Sequence, residues 1–214
     1  MRMFVPLIAL SVIITGTFSY FIAYRQIEEN AYVSLTDTVS QSKILLDSKL
    51  SDIFEQMLYV KNVVEPIYLS LKYSEATMKP QYYITAESNL SQVYSNYYSM
   101  IDSILMYFND GLFTLQKRDY VTEDINFSFD EWRGKYNNKE GDFYWINLHQ
   151  DEIFKYHRNK NRVVSIFNLI GNTDSQLRGI ILFNLRESFF SNILENVEIS
   201  ENGYLTLISD DGIM

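Results

Sequence analysis

The sequence predicts an α+β fold: an N-terminal transmembrane helix, a long stalk helix, and an antiparallel sheet flanked by helices. Three observations carry that expectation. Met3–Tyr24 holds no charged residue, Gln26–Glu65 holds neither Pro nor Gly, and short apolar runs beyond Ile101 alternate with turn-forming stretches. Strands joined by tight turns pair antiparallel, and helices must then cover a face of the sheet.

As a helix rising about 1.5 Å per residue, Met3–Tyr24 reaches roughly 33 Å, enough for a hydrocarbon core of about 30 Å. Pro6 sits near its start, where a missing N–H costs least, and Tyr20, Phe21 and Tyr24 gather at its far end as an interfacial aromatic belt does. A cleaved secretory signal is the alternative. Its apolar core runs only about 7–15 residues and ends at a small-residue site, which "TFSYFIAYRQ" does not cleanly supply. Arg2 before the span nearly balances Arg25 after it, so counting positive charges decides little. A short flank before a large acidic region predicts a single-pass cell-membrane protein with a cytoplasmic N-terminus and an extracellular remainder.

In the stalk, Tyr32, Val39, Leu46, Ile53, Val60 and Ile67 repeat every seventh residue, with Leu50, Met57 and Val64 interleaved. That pattern gives a helix with one apolar seam. The seam either packs on the chain's own domain or, over Tyr32–Val64, joins a second copy in a homodimer. Pro66 is expected to bend or end the helix. A second helix is expected over about Pro80–Met100, with Tyr83, Leu90, Val93, Tyr94, Tyr97 and Tyr98 on one face.

Ile101–Leu115 reads as a hairpin with Asn109, Asp110 and Gly111 at its tip, because Asp-Gly is a strong hairpin signal. A loop-rich aromatic passage follows, with a short helix near Asp130–Tyr136. Arg162–Ile170 and Leu177–Leu185 read as paired strands, Arg186–Val197 as a short helix, and Gly203–Ser209 as a strand leading into an Asp-Gly turn.

Composition excludes several functions. A formal charge of −9 disfavours nucleic acid as a partner, and the absence of cysteine removes thiol chemistry and thiolate metal sites. The two histidines, His149 and His157, match no zinc spacing, and no nucleophile elbow or phosphate loop occurs. No cofactor and no catalytic residues are expected. Trp132, Tyr136, Tyr144, Trp145 and His149 are concentrated enough to line a mostly apolar ligand pocket, although for each aromatic ordinary core packing is the commoner explanation.

The anchor, the helix "DTVSQSKILLDSKLSDIFEQMLYVKNVV", the segment "FYWINLH", the run "RVVSIFNLI…LRGIILFNLRESFFSNIL" and the closing "ENGYLTLISDDGIM" together resemble the extracellular double-Cache (PAS-like) sensor domains of bacterial membrane receptors. Within them, the chain looks closest to YesM-type sensor histidine kinases and membrane-bound AraC-type regulators. The resemblance implies an anchor at 1–25, the two helices of the Cache domain at 26–100, a membrane-distal PAS-like module at 101–197 and the start of a truncated membrane-proximal module at 198–214. It implies a receptor region without its output domain, sensing an unknown small extracellular ligand. It also implies that Arg162, Ser165 and Asn168 turn polar groups into the pocket from one face of their strand. Amino-acid-binding members carry a Tyr, Arg, Trp-Tyr and Asp pattern; here the order is Tyr144-Trp145 with no Arg just before it. The remaining alternative is an anchored structural or interaction protein that assembles through its long helix and binds no small molecule.

Overall fold

The computed structural model describes residues 4–73, 79–108, 113–117, 138–140, 143–151, 162–171, 179–195 and 206–208. The elements are α1 (Phe4–Tyr73), α2 (Lys79–Asn96), β1 (Ile101–Phe108), β2 (Phe113–Lys117), β3 (Asn138–Glu140), β4 (Phe143–Gln150), β5 (Arg162–Ile170), β6 (Gly179–Arg186) and α3 (Glu187–Glu195). By internal contacts the chain divides within α1, after Leu45.

The first unit contains the apolar start of α1, long and apolar enough to cross a membrane. Its large side chains from Phe4 to Tyr24 are all exposed. The few hydroxyls are satisfied locally: Thr15 and Thr17 donate to the carbonyls of Ser11 and Ile13 at 2.7 and 2.8 Å. That arrangement suits a segment with no water to bond. At the end of the apolar stretch, Tyr20 stacks on Tyr24 and the Arg25 guanidinium lies 5.2 Å from the Phe21 ring centre.

The second unit is built on a six-stranded sheet in the order β2-β1-β6-β5-β4-β3, every neighbouring pair antiparallel. The hairpins expected at β1/β2 and β5/β6 are present, and β6 joins them by pairing with β1. Gly179 permits that junction. A Cβ there would stand 2.2 Å from the Tyr107 carbonyl oxygen, so no other residue fits without moving backbone.

From Leu46 onward the seam of α1 is spent inside the chain. Ile53, Met57, Val60 and Val64 are buried and cluster with Ile104, Met106, Ile166, Ile181 and Phe183 of the sheet, and with Leu90 and Val93 of α2. Each such side chain stabilises the fold by roughly 1.5–3 kcal/mol. Before Leu46 the seam residues Tyr32 and Val39 are exposed.

Three expectations need correction. The helix does not stop at Pro66; it runs on to Tyr73. Proline removes one intrahelical hydrogen bond, but Val64 and Tyr68 are buried on either side, Tyr68 stacks on Phe108 with ring centres 3.9 Å apart, and Ser70 Oγ donates to the Pro66 carbonyl. Packing outweighs the lost bond. Within the passage read as loop-rich, Asn138–Glu140 and Phe143–Gln150 form strands. Finally, Thr206–Ile208, the described part of the strand expected over Gly203–Ser209, are exposed and carry no regular structure. The hairpin tip at Asn109–Gly111 and the helix near Asp130–Tyr136 lie outside the described residues.

Candidate ligand-binding face

Residues opposite one another in an antiparallel pair share a face of the sheet, so the registers sort the side chains. One face turns to α1: Trp145, Ile166, Phe183 and Ile104 form one row across it, and Phe143, Asn168, Ile181 and Met106 the next. Tyr144, Phe167, Leu182 and Leu105 form a row on the other face. Beside it runs the row of Ile146, Ser165, Asn184 and Ser103.

This last row is unusual because its polar members are buried. Ser165, Asn184 and Ser103 have 0%, 1% and 1% of their surface exposed. They satisfy one another: Ser165 Oγ donates to Asn184 Oδ1 at 2.5 Å, and Asn184 Nδ2 donates to Ser103 Oγ at 2.9 Å. Leaving such a group unpaired would cost about 1–3 kcal/mol, so the three stand or fall together.

His149 joins them through a bulge in β4. Ile146 opposes Ser165, but His149 opposes Val163, so one extra residue is inserted between them. A bulge of this kind re-aims the side chains that follow it. In an unbroken strand His149 would share the face of Trp145; here its Nε2 lies 3.3 Å from Ser165 Oγ, and its Nδ1 lies 2.8 Å from the Asn147 carbonyl oxygen. A second bulge, in β1 between Ile101 and Ser103, brings Asp102 toward Arg186. The buried Asp102 carboxylate meets the Arg186 guanidinium at 3.5 Å, while Arg186 Nε donates to the carbonyls of Tyr98 and Ile101.

The candidate residues therefore separate. Tyr144, His149 and Ser165 lie on the face away from α1, with Tyr144 stacked on Phe167 at 5.1 Å between ring centres. Trp145 lies on the α1 side, edge-on to Phe54, which also stacks on Phe143. Its buried indole Nε1 has no hydrogen-bond partner among the described residues. Asn168 also faces α1, accepting a hydrogen bond from Lys61 Nζ at 2.7 Å. Arg162 is exposed at the start of β5, paired with Glu187 at 2.9 Å. The expectation that Arg162, Ser165 and Asn168 share a face fails because strand side chains alternate with period two: Ser165 is odd in the count and the others even. Trp132 and Tyr136 lie outside the described residues.

Sequence reading passed over Ser103, Asn184 and Lys61. The first two had a visible signal, a lone small polar residue inside each of the apolar strands "IDSILMYF" and "GIILFNLR". Lys61 had none, since a lysine on a long polar-faced helix is normally solvated.

No protein-family model and no curated protein matches the chain. Solved structures do. The ligand-binding domain of the Campylobacter jejuni chemoreceptor Tlp3 in complex with 4-methylisoleucine aligns with a TM-score of 0.58 at 14% identity, covering 79% of this chain and 64% of that one. The Tlp3 sensory domain aligns at 0.56 with 13% identity, over 78% of this chain and 67% of that one. The ligand-binding domain of Mlp24 with asparagine aligns at 0.53 with 15% identity, over 88% and 71%. In another Tlp3 complex, with L-norvaline, the chain spans only 59% of the solved domain. At these identities the likeness is one of fold alone.

Proposed function

We propose that this chain is the membrane-anchored, ligand-sensing region of a receptor, and that its ligand is read on the sheet face turned away from α1. The observation that carries the reading is the buried row of Ser103, Ser165 and Asn184 with His149 at its end, set in an otherwise apolar face. A pocket floor needs that mixture: apolar area for affinity and a few fixed polar groups for orientation. The architecture shared with chemoreceptor ligand-binding domains, several solved with amino-acid ligands, supports a small polar organic ligand. Binding would shift the sheet against α1, provided the ligand prefers one of two arrangements.

The test is a thermal-shift screen of the full chain in detergent against amino acids, organic acids and sugars. A ligand present at about 100 times its Kd adds on the order of 2.7 kcal/mol to stability. That gain should vanish in Tyr144→Ala, whose side chain lies on the assigned face, and persist in Trp145→Phe, which faces α1. The opposite ranking sinks the assignment, and a screen with no hit favours the interaction-protein reading.

The finer assignment is to receptors of the YesM histidine-kinase or membrane-bound AraC type, with the distal module at 101–197 and a further module beginning near 198. It rests on the sequence segments quoted above. A kinase or helix-turn-helix coding region in the DNA beyond the Met214 codon supports it; a chemotaxis-type output region there overturns it.

The exposed seam residues before Leu46 support a second copy as partner. Because the chain has no cysteine, Tyr32→Cys or Val39→Cys introduces a single thiol. Disulfide-linked dimers in membranes from these variants, but not from Glu28→Cys, are expected.

A further inference from the structure

We propose that the row His149–Ser165–Asn184–Ser103 is a proton-responsive relay, in which protonation of His149 sets the direction of every hydrogen bond from β4 to β1. The argument is one of donor counting. His149 Nδ1 faces the Asn147 carbonyl oxygen at 2.8 Å, and a carbonyl only accepts. Nδ1 therefore carries a hydrogen in both charge states, and only Nε2 changes.

When the imidazole is neutral, Nε2 accepts from Ser165, whose one hydroxyl hydrogen is then committed. Ser165 Oγ must receive its next bond from the Asn184 NH2 group, and the Asn184 oxygen must accept from the Ser103 hydroxyl. When the imidazole is protonated, Nε2 donates to Ser165, Ser165 donates to Asn184 Oδ1, and Asn184 Nδ2 donates to Ser103. The Asn184 amide is oriented as in the second pattern, Oδ1 toward Ser165 at 2.5 Å and Nδ2 toward Ser103 at 2.9 Å, and the 3.3 Å between Ser165 Oγ and His149 Nε2 suits a bond in either direction. One proton enters at Nε2 and no covalent bond between heavy atoms changes. The two patterns differ by a half turn of the Asn184 amide and rotation of two hydroxyls, so no backbone movement is needed. In each pattern every contact along the row joins a donor to an acceptor, so the row has two arrangements.

Its surroundings let the reversal matter. Phe167, Leu182 and Leu105 form the adjacent row and are fully buried or nearly so, and in such low dielectric a turned amide dipole is felt strongly. Among the described residues, the charged groups near His149 are few. Just past the end of its own strand, Asp151 is buried two positions on. On β5, Arg162 is held by Glu187 of α3. On β6, Arg186 is in register with Val163 and paired with Asp102 of β1. On β2, Lys117 is in register with Ser103 at the far end of the row. A proton taken up at Nε2 therefore changes the polarity of this face.

The test is a side-chain NMR titration of the full chain in detergent micelles, labelled on His and Asn, from about pH 8 to about pH 5. His157→Gln leaves His149 as the one histidine, and loss of a signal in Asn184→Asp assigns the amide. The Asn184 NH2 resonances should move with the same midpoint as the His149 ring. In Ser165→Ala the ring should still titrate while Asn184 becomes flat, and in His149→Gln Asn184 should be flat. The relay is overturned if Asn184 is unchanged through the His149 titration, if His149 takes up no proton over the range, or if Asn184 still follows it in Ser165→Ala. Should that variant not fold, the parent titration and His149→Gln decide. None of these outcomes depends on finding a ligand, so the relay and the sensing proposal fail separately.

Discussion

Along β5, Val164, Ile166 and Ile170 look toward α1 while Val163, Ser165 and Phe167 look away, and both sets are largely buried. Toward α1 the neighbours are Ile53, Met57, Val60 and Val64, and among the described residues the buried polar groups of this face are Asn168, met by Lys61, and the Trp145 indole N–H. Away from α1 the polar groups of Ser165, Asn184 and Ser103 run across three strands, with His149 of β4 at their end. An apolar face is sufficient to hold a helix on a sheet. Three buried polar groups in a line add little net stability, since each trades water for a protein partner; what they add is direction. The difference separates the side that seats the helix from the side on which recognition is proposed.

The largest effect should come from breaking the first side. Phe183 is fully buried between Ile104 and Ile166 on the α1 face. Phe183→Ala should destabilise the domain by about 3–5 kcal/mol, measured by denaturant unfolding of the full chain in detergent. A loss below about 1 kcal/mol would mean that α1 is not seated on this face.

Asn184→Ala comes next. It removes the middle of the row, leaving the hydroxyls of Ser165 and Ser103 each short of a partner, and should cost about 2–3 kcal/mol. Asn184→Ala combined with Ser165→Ala should cost less than the sum of the two single changes, because an unpaired hydroxyl leaves with the second substitution. Strict additivity would show that the row is not a connected network.

How much of this was legible in the sequence follows from which periodicities survive. The seam of α1 was readable because Leu46, Ile53, Val60 and Ile67 keep their spacing throughout. The β5/β6 hairpin was readable as two apolar runs around a turn. Strand β4 was not, because its bulge after Ile146 breaks the alternation on which strand recognition rests. The same bulge moves His149 to the other face, so its partnership with Ser165 was invisible to any counting rule. The end of α1 was misjudged for a related reason: Pro66 was weighed by its local cost alone, while the burial of Val64 and Tyr68 that offsets it is a tertiary fact. Local chemistry located the elements, but register decided the site.

The smallest effect belongs to Arg162, and it gives the comparison its finest edge. Its side chain remains 49% exposed and that of its partner Glu187 41% exposed, so solvent screens the pair. Exposed ion pairs contribute about 0–1 kcal/mol, and Arg162→Ala should change unfolding stability by no more than about 0.5 kcal/mol. Arg162 precedes the buried part of β5 and opposes Gln150 at the end of β4, so its removal disturbs neither face. If it serves only to fasten β5 to α3, ligand-induced stabilisation should be unchanged in the variant. A ligand response lost while baseline stability holds would place the guanidinium within reach of the ligand, and the recognition surface would then extend past the polar row to the edge of the strand.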